Sequence, residues 1–186
     1  MKIIRTAGLV AGLAAITVIS SSCVITVNKK AVRLFAKDKF VEASGVITTR
    51  DTVVSPFTKL SVSGPLDVTF TQSTEQPSVK ITTSDNIQEY VEVKIEGNTL
   101  IVGLNDGPAR ISEDIKVEIE GPAVDALKLA GSVDFTCVAL GVEAVDFEME
   151  VSGSTDARIA SIVAADFDLA SAGSCDLSLD AVKADA

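Results

Sequence analysis

Four aspartates recur at one offset from a glycine, and they are the residues with the strongest claim to chemistry. Asp134, Asp156 and Asp176 stand in Gly131-Ser132-Val133-Asp134-Phe135, Gly153-Ser154-Thr155-Asp156-Ala157 and Gly173-Ser174-Cys175-Asp176-Leu177, and Asp67 holds the same place in the fainter Gly64-Pro65-Leu66-Asp67-Val68. Hard cations take several carboxylate oxygens, so Asp134, Asp156 and Asp176 are candidate Ca²⁺ ligands. A pair of acids could also cleave glycosides. Stacked strands, however, stand about 4.8 Å apart whatever their sequence, close to the ~5–5.5 Å between the carboxyl groups of retaining glycosidases. The spacing is then a by-product of stacking. The first expectation is that these aspartates bond to their own turns, with cation binding second and catalysis last.

Other chemistries are excluded by what is missing. The chain has no histidine, which removes Ser-His-Asp and Cys-His sites and every His-ligated metal. The body has no glycine-rich phosphate loop and no paired-cysteine motif for zinc. Cys137 and Cys175 lie at offsets of six and two from their repeat glycines, so they read as two small buried hydrophobes rather than a disulfide. Lys128 and Arg158 are expected to balance acids across neighbouring strands, Lys128 beside Glu148 for example. No catalytic residue and no resident cofactor or metal is assigned, and the protein is expected not to be an enzyme.

The elements that carry these residues read as strands. The repeat glycines are 22 and then 20 residues apart, a period that suits one turn of a β-solenoid. Counted from each glycine, even offsets hold Val133, Phe135 and Cys137, then Thr155, Ala157 and Ile159, then Cys175, Leu177 and Leu179. Odd offsets hold Ser132 and Asp134, Ser154, Asp156 and Arg158, and Ser174, Asp176 and Ser178. Residues two apart share a face of a strand, so the even set is expected inside and the odd set in water. Ala123-Val124-Asp125, Ala144-Val145-Asp146 and Ala164-Ala165-Asp166 mark a recurring bend. Upstream, 57–62, 66–70, 79–81, 91–95, 100–102 and 115–119 alternate with a period of two, and Gly97-Asn98 signals a hairpin. The fold class expected is all-β: a right-handed parallel β-helix, or solenoid, with some antiparallel hairpin pairing in the N-terminal half.

The N-terminus reads as a targeting segment. Lys2 and Arg5 precede an apolar stretch from Ala7 to Ile19, and Ser20-Ser21-Ser22 leads into Cys23. That stretch is short for a bilayer span, which takes about 20 apolar residues, and it suits a cleaved signal. The expected organisation is a lipoprotein signal peptide over 1–22, a lipidated tether over 23–43 with Cys23 as the lipidation site, and the β-helical body over 44–186. A short helix from about Lys30 to Asp38 is expected in the tether. Lys2 and Arg5 leave with the leader, so 14 basic residues face 26 acidic ones and the net charge moves from −10 to −12. A body this acidic does not attract nucleic acid.

The exported cysteine, the Phe57-Thr58-Lys59-Leu60-Ser61-Val62-Ser63-Gly64 phrase, the Leu66-Asp67-Val68 that follows and the late Gly-Ser-x-Asp copies resemble the head GIN domain of putative auto-transporter adhesins. The resemblance covers about Ser44 to Ala186. It implies an exported β-helical domain without established catalysis. The function expected is that of a non-enzymatic cell-envelope lipoprotein, held at the bacterial outer membrane by its lipid, whose rigid surface serves adhesion or binds glycan or protein. The alternatives are a polysaccharide-acting β-helix enzyme and a structural unit that docks through an open C-terminal edge. Asp180 to Ala186 make a poor cap, and an uncapped strand is a template for a second copy. Val24-Ile25-Thr26-Val27 follow the cysteine in place of acidic residues, which leaves both a periplasmic and a surface-facing orientation open.

Overall fold

The computed structural model describes residues 19–20, 23–24, 40–105, 110–143 and 145–184. The chain divides into two compact units, 1–37 and 38–186. In the first, β1 (Ile19–Ser20) pairs antiparallel with β2 (Cys23–Val24). The rest of the expected leader, the lipid on the Cys23 side chain and the tether helix lie outside the described residues.

The second unit begins with β3 (Phe40–Val41), β4 (Ile47–Val53), β5 (Lys59–Ser63), β6 (Leu66–Gln72) and β7 (Ser78–Ser84). After a 3₁₀ turn at Gln88–Tyr90 come β8 (Val91–Glu96), β9 (Thr99–Leu104), β10 (Arg110–Ile111) and β11 (Ile115–Gly121). Three long strands follow, β12 (Ala126–Gly141), β13 (Phe147–Ala164) and β14 (Phe167–Leu179), and then β15 (Val182–Ala184).

The repeat glycines organise the long strands. β12, β13 and β14 run parallel, with Gly131, Gly153 and Gly173 paired in one register, Ser132, Ser154 and Ser174 in the next, and Asp134, Asp156 and Asp176 beyond. The first half of β12 pairs with β5 and its second half with β6, so Gly64 between them is a fourth corner. Gly153 has φ 98°, and a Cβ placed there would lie 2.6 Å from the carbonyl oxygen of Gly131. Glycine is therefore required twice over, once for a backbone angle that a side chain opposes and once for the close approach of the preceding corner.

Alternation with a period of two buries one face of these strands. Val133, Phe135 and Cys137, then Thr155, Ala157 and Ile159, are all buried, together with Leu127, Leu129, Phe147, Met149 and Val151. They join Leu60, Val62, Leu66, Val68, Phe70, Leu100, Val102 and the Ile115-Val117-Ile119 series in one core. Thr155 is the polar member, and its hydroxyl donates toward the carbonyl oxygens of Gly131 and Ser152, 3.3 Å from each. Cover runs out at β14, where Cys175, Leu177 and Leu179 are only half-buried and Leu169 is 43% exposed.

The expected right-handed parallel β-helix is corrected by the strand order. The main sheet is one mixed, curled sheet of eleven strands, in the order β4-β7-β11-β6-β12-β5-β9-β8, with β13 beside β12 and carrying β14 and β15. A coil that advances one turn at a time places its strands in chain order. Here β9 and β11, which follow β5 and β6 in the chain, lie on the side of them away from β12. From there the sheet opens into two arms with antiparallel pairing. One is the β8–β9 hairpin; the other is β11 with β7, and β7 with β4. The physical reason is that the stretch between β6 and β12 does not wind forward: β8 and β9 fold back as a hairpin on one arm, and on the other β11 returns beside β6 and takes β7 antiparallel on its far side.

Candidate functional site

The acids singled out from the sequence form a column on the outer face. β12 sets Asp134 beside Asp67 on one side and Asp156 on the other, and β13 sets Asp156 beside Asp176. Asp67, Asp114, Asp134 and Asp156, with Ser132 and Ser154, line a cavity of about 260 Å³. Asp176 does not line it. Burial raises the Asp67 pKa above the ordinary carboxylate value. The charges of Asp114 and Asp134 and a side-chain hydrogen bond with Asp134 add to the shift, against the pull of Lys116. Asp67 thus keeps its proton to a higher pH than an ordinary carboxylate does. Among the described residues no group of three or more His, Cys, Asp or Glu is placed to hold a metal ion.

Asp114 is the member that sequence reasoning missed. It lies just before β11, and only the parallel pairing of β11 with β6, Ile115 opposite Leu66 and Lys116 opposite Asp67, brings it to the column. Its spacing from Lys116, on the outward parity of β11, would have placed it on the outer face but not next to Asp67.

A larger feature crosses the other halves of the same strands. A groove of about 690 Å³ runs over the outer faces of β9, β5, β12, β13 and β14. Strand register arranges its side chains in two rows. One row is Thr99, Lys59, Ala126, Glu148 and Asp168; the other is Ile101, Ser61, Lys128, Glu150 and Ala170. Lys128 donates to Glu150 at 2.8 Å. The partner is Glu150 rather than Glu148, because residues in register across β12 and β13 are 22 apart. The groove therefore offers ammonium donors, hydroxyls and carboxylate acceptors at strand spacing, on a backbone held by ladders on both sides as far as β13.

Cys137 and Cys175 are free thiols. Cys137 is buried and bonds the carbonyl oxygen of Ala139 at 3.0 Å. Its burial pushes the thiol pKa up to about 11, which leaves it a packing residue.

Residues 56–183 match the family described as "Putative auto-transporter adhesin, head GIN domain". The chain belongs to this family. A solved structure shares the fold of this GIN-family chain. A protein from Parabacteroides distasonis, described as a putative lipid binding protein, superposes with a TM-score of 0.58 at 20% identity, over 75% of this chain and 65% of its own length. The chain thus spans about two thirds of that relative. Putative adhesins from Bacteroides fragilis and Parabacteroides merdae superpose with TM-scores of 0.44 and 0.39 at 15% and 14% identity. They cover 76% and 79% of this chain and 98% and 99% of their own. No curated protein matches the sequence.

Proposed function

We propose that this protein is a non-enzymatic component of the bacterial cell envelope that offers the outer groove of its sheet to a glycan or a protein, and that a lipid on Cys23 ties it to the outer membrane. The observation that carries the reading is the groove across β9, β5, β12, β13 and β14. Its two rows of Lys, Ser, Thr, Glu and Asp are placed by strand register on a fixed backbone, so only the side chains are ordered when a ligand arrives, which limits the cost of binding. Ile101, on the outer face of β9, gives the same surface one apolar side chain for the non-polar face of a sugar or a side chain. Membership of a family of putative adhesins supports a binding role. The acid column supports hydrolysis less well, because its cavity is small, about 260 Å³, with neither a basic nor an aromatic side chain among its lining residues.

A glycan and extracellular-matrix array, run with and without Ca²⁺, tests the reading. Binding should be lost in Lys59→Ala/Lys128→Ala and kept in Asp67→Asn/Asp134→Asn. Retained binding in the lysine variant, or release of sugar products from a bound polysaccharide, would overturn it. The anchor has its own check: a Cys23→Ser chain should leave the membrane fraction, and its persistence there would refute lipidation.

A further inference from the structure

The open side of β14 is the feature that the groove does not use. Among the described residues β14 pairs with β13 alone, so one edge of a 13-residue strand is unpaired. An edge of this kind presents a row of free N–H and C=O groups. Its inward side chains are also the least covered in the core: Phe167, Cys175, Leu177 and Leu179 are half-buried and Leu169 is 43% exposed.

We infer that the occupant of this edge is the β14 of a second copy, paired antiparallel about a two-fold axis through Gly173. The strand bends at Gly173, where φ is 109°. A two-fold axis at the bend lays the first half of one strand on the second half of the other, with corner on corner. The pairing then places Phe167 opposite Leu179, Leu169 opposite Leu177, and Ser171 opposite Cys175, all on the inward parity. On the outward parity Asp168 meets Ser178, Ala170 meets Asp176, and Ala172 meets Ser174. The strand is thus complementary to its own reverse in apolar content.

Charge and apolar pairing together select this register over its neighbours. Centring the axis on Ala172 would set Asp168 against Asp176 within the strand, and centring it on Ser174 would set Asp168 against Asp180 and oppose Phe167 to Ala181 and Leu177 to Ser171, losing the apolar pairs. Like charges directly opposite each other destabilise a strand pair. The axis at Gly173 opposes no two acids within the strand; Asp166 and Asp180 meet just beyond its ends, where salt screens them. Isologous pairing of this type is the commonest form of homo-oligomer.

A Ser171→Cys chain tests both the partner and the register. Opposed residues of an antiparallel pair have Cα atoms about 4.5–5.5 Å apart, within the range a disulfide spans, and Cys175 is a free thiol. Mild oxidation of the full chain should give a covalent dimer on a non-reducing gel. The dimer should be lost in Ser171→Cys/Cys175→Ser and absent from the unaltered chain. By sedimentation in detergent, Leu169→Lys should shift the dimer to monomer with its circular dichroism unchanged, and Leu169→Lys/Leu177→Glu should restore the dimer. A full chain that sediments as a monomer at all concentrations would overturn the inference. So would a dimer that the Ser171→Cys chain does not cross-link, since another partner or another register would then own the edge.

Discussion

Replacing Gly153 with alanine separates the stacking of the corners from the ordinary cost of a turn glycine. At Gly153 two penalties fall together. The backbone angle, φ 98°, costs a side-chain-bearing residue about 1–2 kcal/mol. The new Cβ would also lie 2.6 Å from the oxygen, 2.9 Å from the nitrogen and 3.0 Å from the Cα of Gly131. These atoms are backbone held in a ladder, so β12 and β13 must move apart locally, at the ~1–3 kcal/mol typical of overpacking. The sum is about 2–5 kcal/mol, a large share of the ~5–15 kcal/mol that holds a domain folded. Gly97 is the control. Its φ is also positive, at 63°, but nothing lies within 4 Å of an added Cβ, so Gly97→Ala pays only the angular cost of about 1–2 kcal/mol.

Urea unfolding followed by far-UV circular dichroism is the suitable assay, since the chain has no Trp. With slopes of about 1–3 kcal/mol/M, the midpoint of Gly153→Ala should fall by about 1 M or more, and by clearly more than that of Gly97→Ala, with the slope unchanged. Equal losses in the two variants would refute the close approach of successive corners. The register of Asp134, Asp156 and Asp176 would then lose its physical basis.

Three further outcomes follow from the site geometry. Folded Asp67 holds its proton at a higher pH than the unfolded chain does. The folded state therefore binds more protons between the ordinary carboxylate value and the raised one, and stability is lost as pH rises through that window. Asp67→Asn should remove this decline and be the more stable protein at neutral pH; a difference curve that is flat or runs the other way would contradict the burial and acid neighbours assigned to it. Lys128 and Glu150 are about half exposed, at 51% and 57%, so a double-mutant cycle should give a coupling of only about 0.2–1 kcal/mol that fades with salt; a coupling of several kcal/mol would mean the pair is enclosed. Cys137, buried and with its thiol pushed up to about 11, should resist iodoacetamide at pH 8 until urea unfolds the chain, and rapid labelling of the folded protein would show the core open there.

The local order of the strands was legible in the sequence. The alternation of Val133, Phe135 and Cys137 with Ser132, Asp134 and Thr136 assigns faces, because side chains along a strand alternate whatever the neighbour is. The Gly-Ser-x-Asp copies were also sufficient to place Gly131, Gly153 and Gly173 at equivalent corners, since a positive backbone angle and a missing Cβ are demanded residue by residue. Three things came only with the tertiary structure. One is the place of β9 and β11 beyond β5 and β6, which turned an expected coil into a mixed sheet. Another is the arrival of Asp114 beside Asp67. The third is the partial exposure of Leu169 on a strand that has one neighbour among the described residues. Each depends on which strand lies beside which. That choice is made by the packing of distant segments into one core, and alternation within a segment carries no record of it.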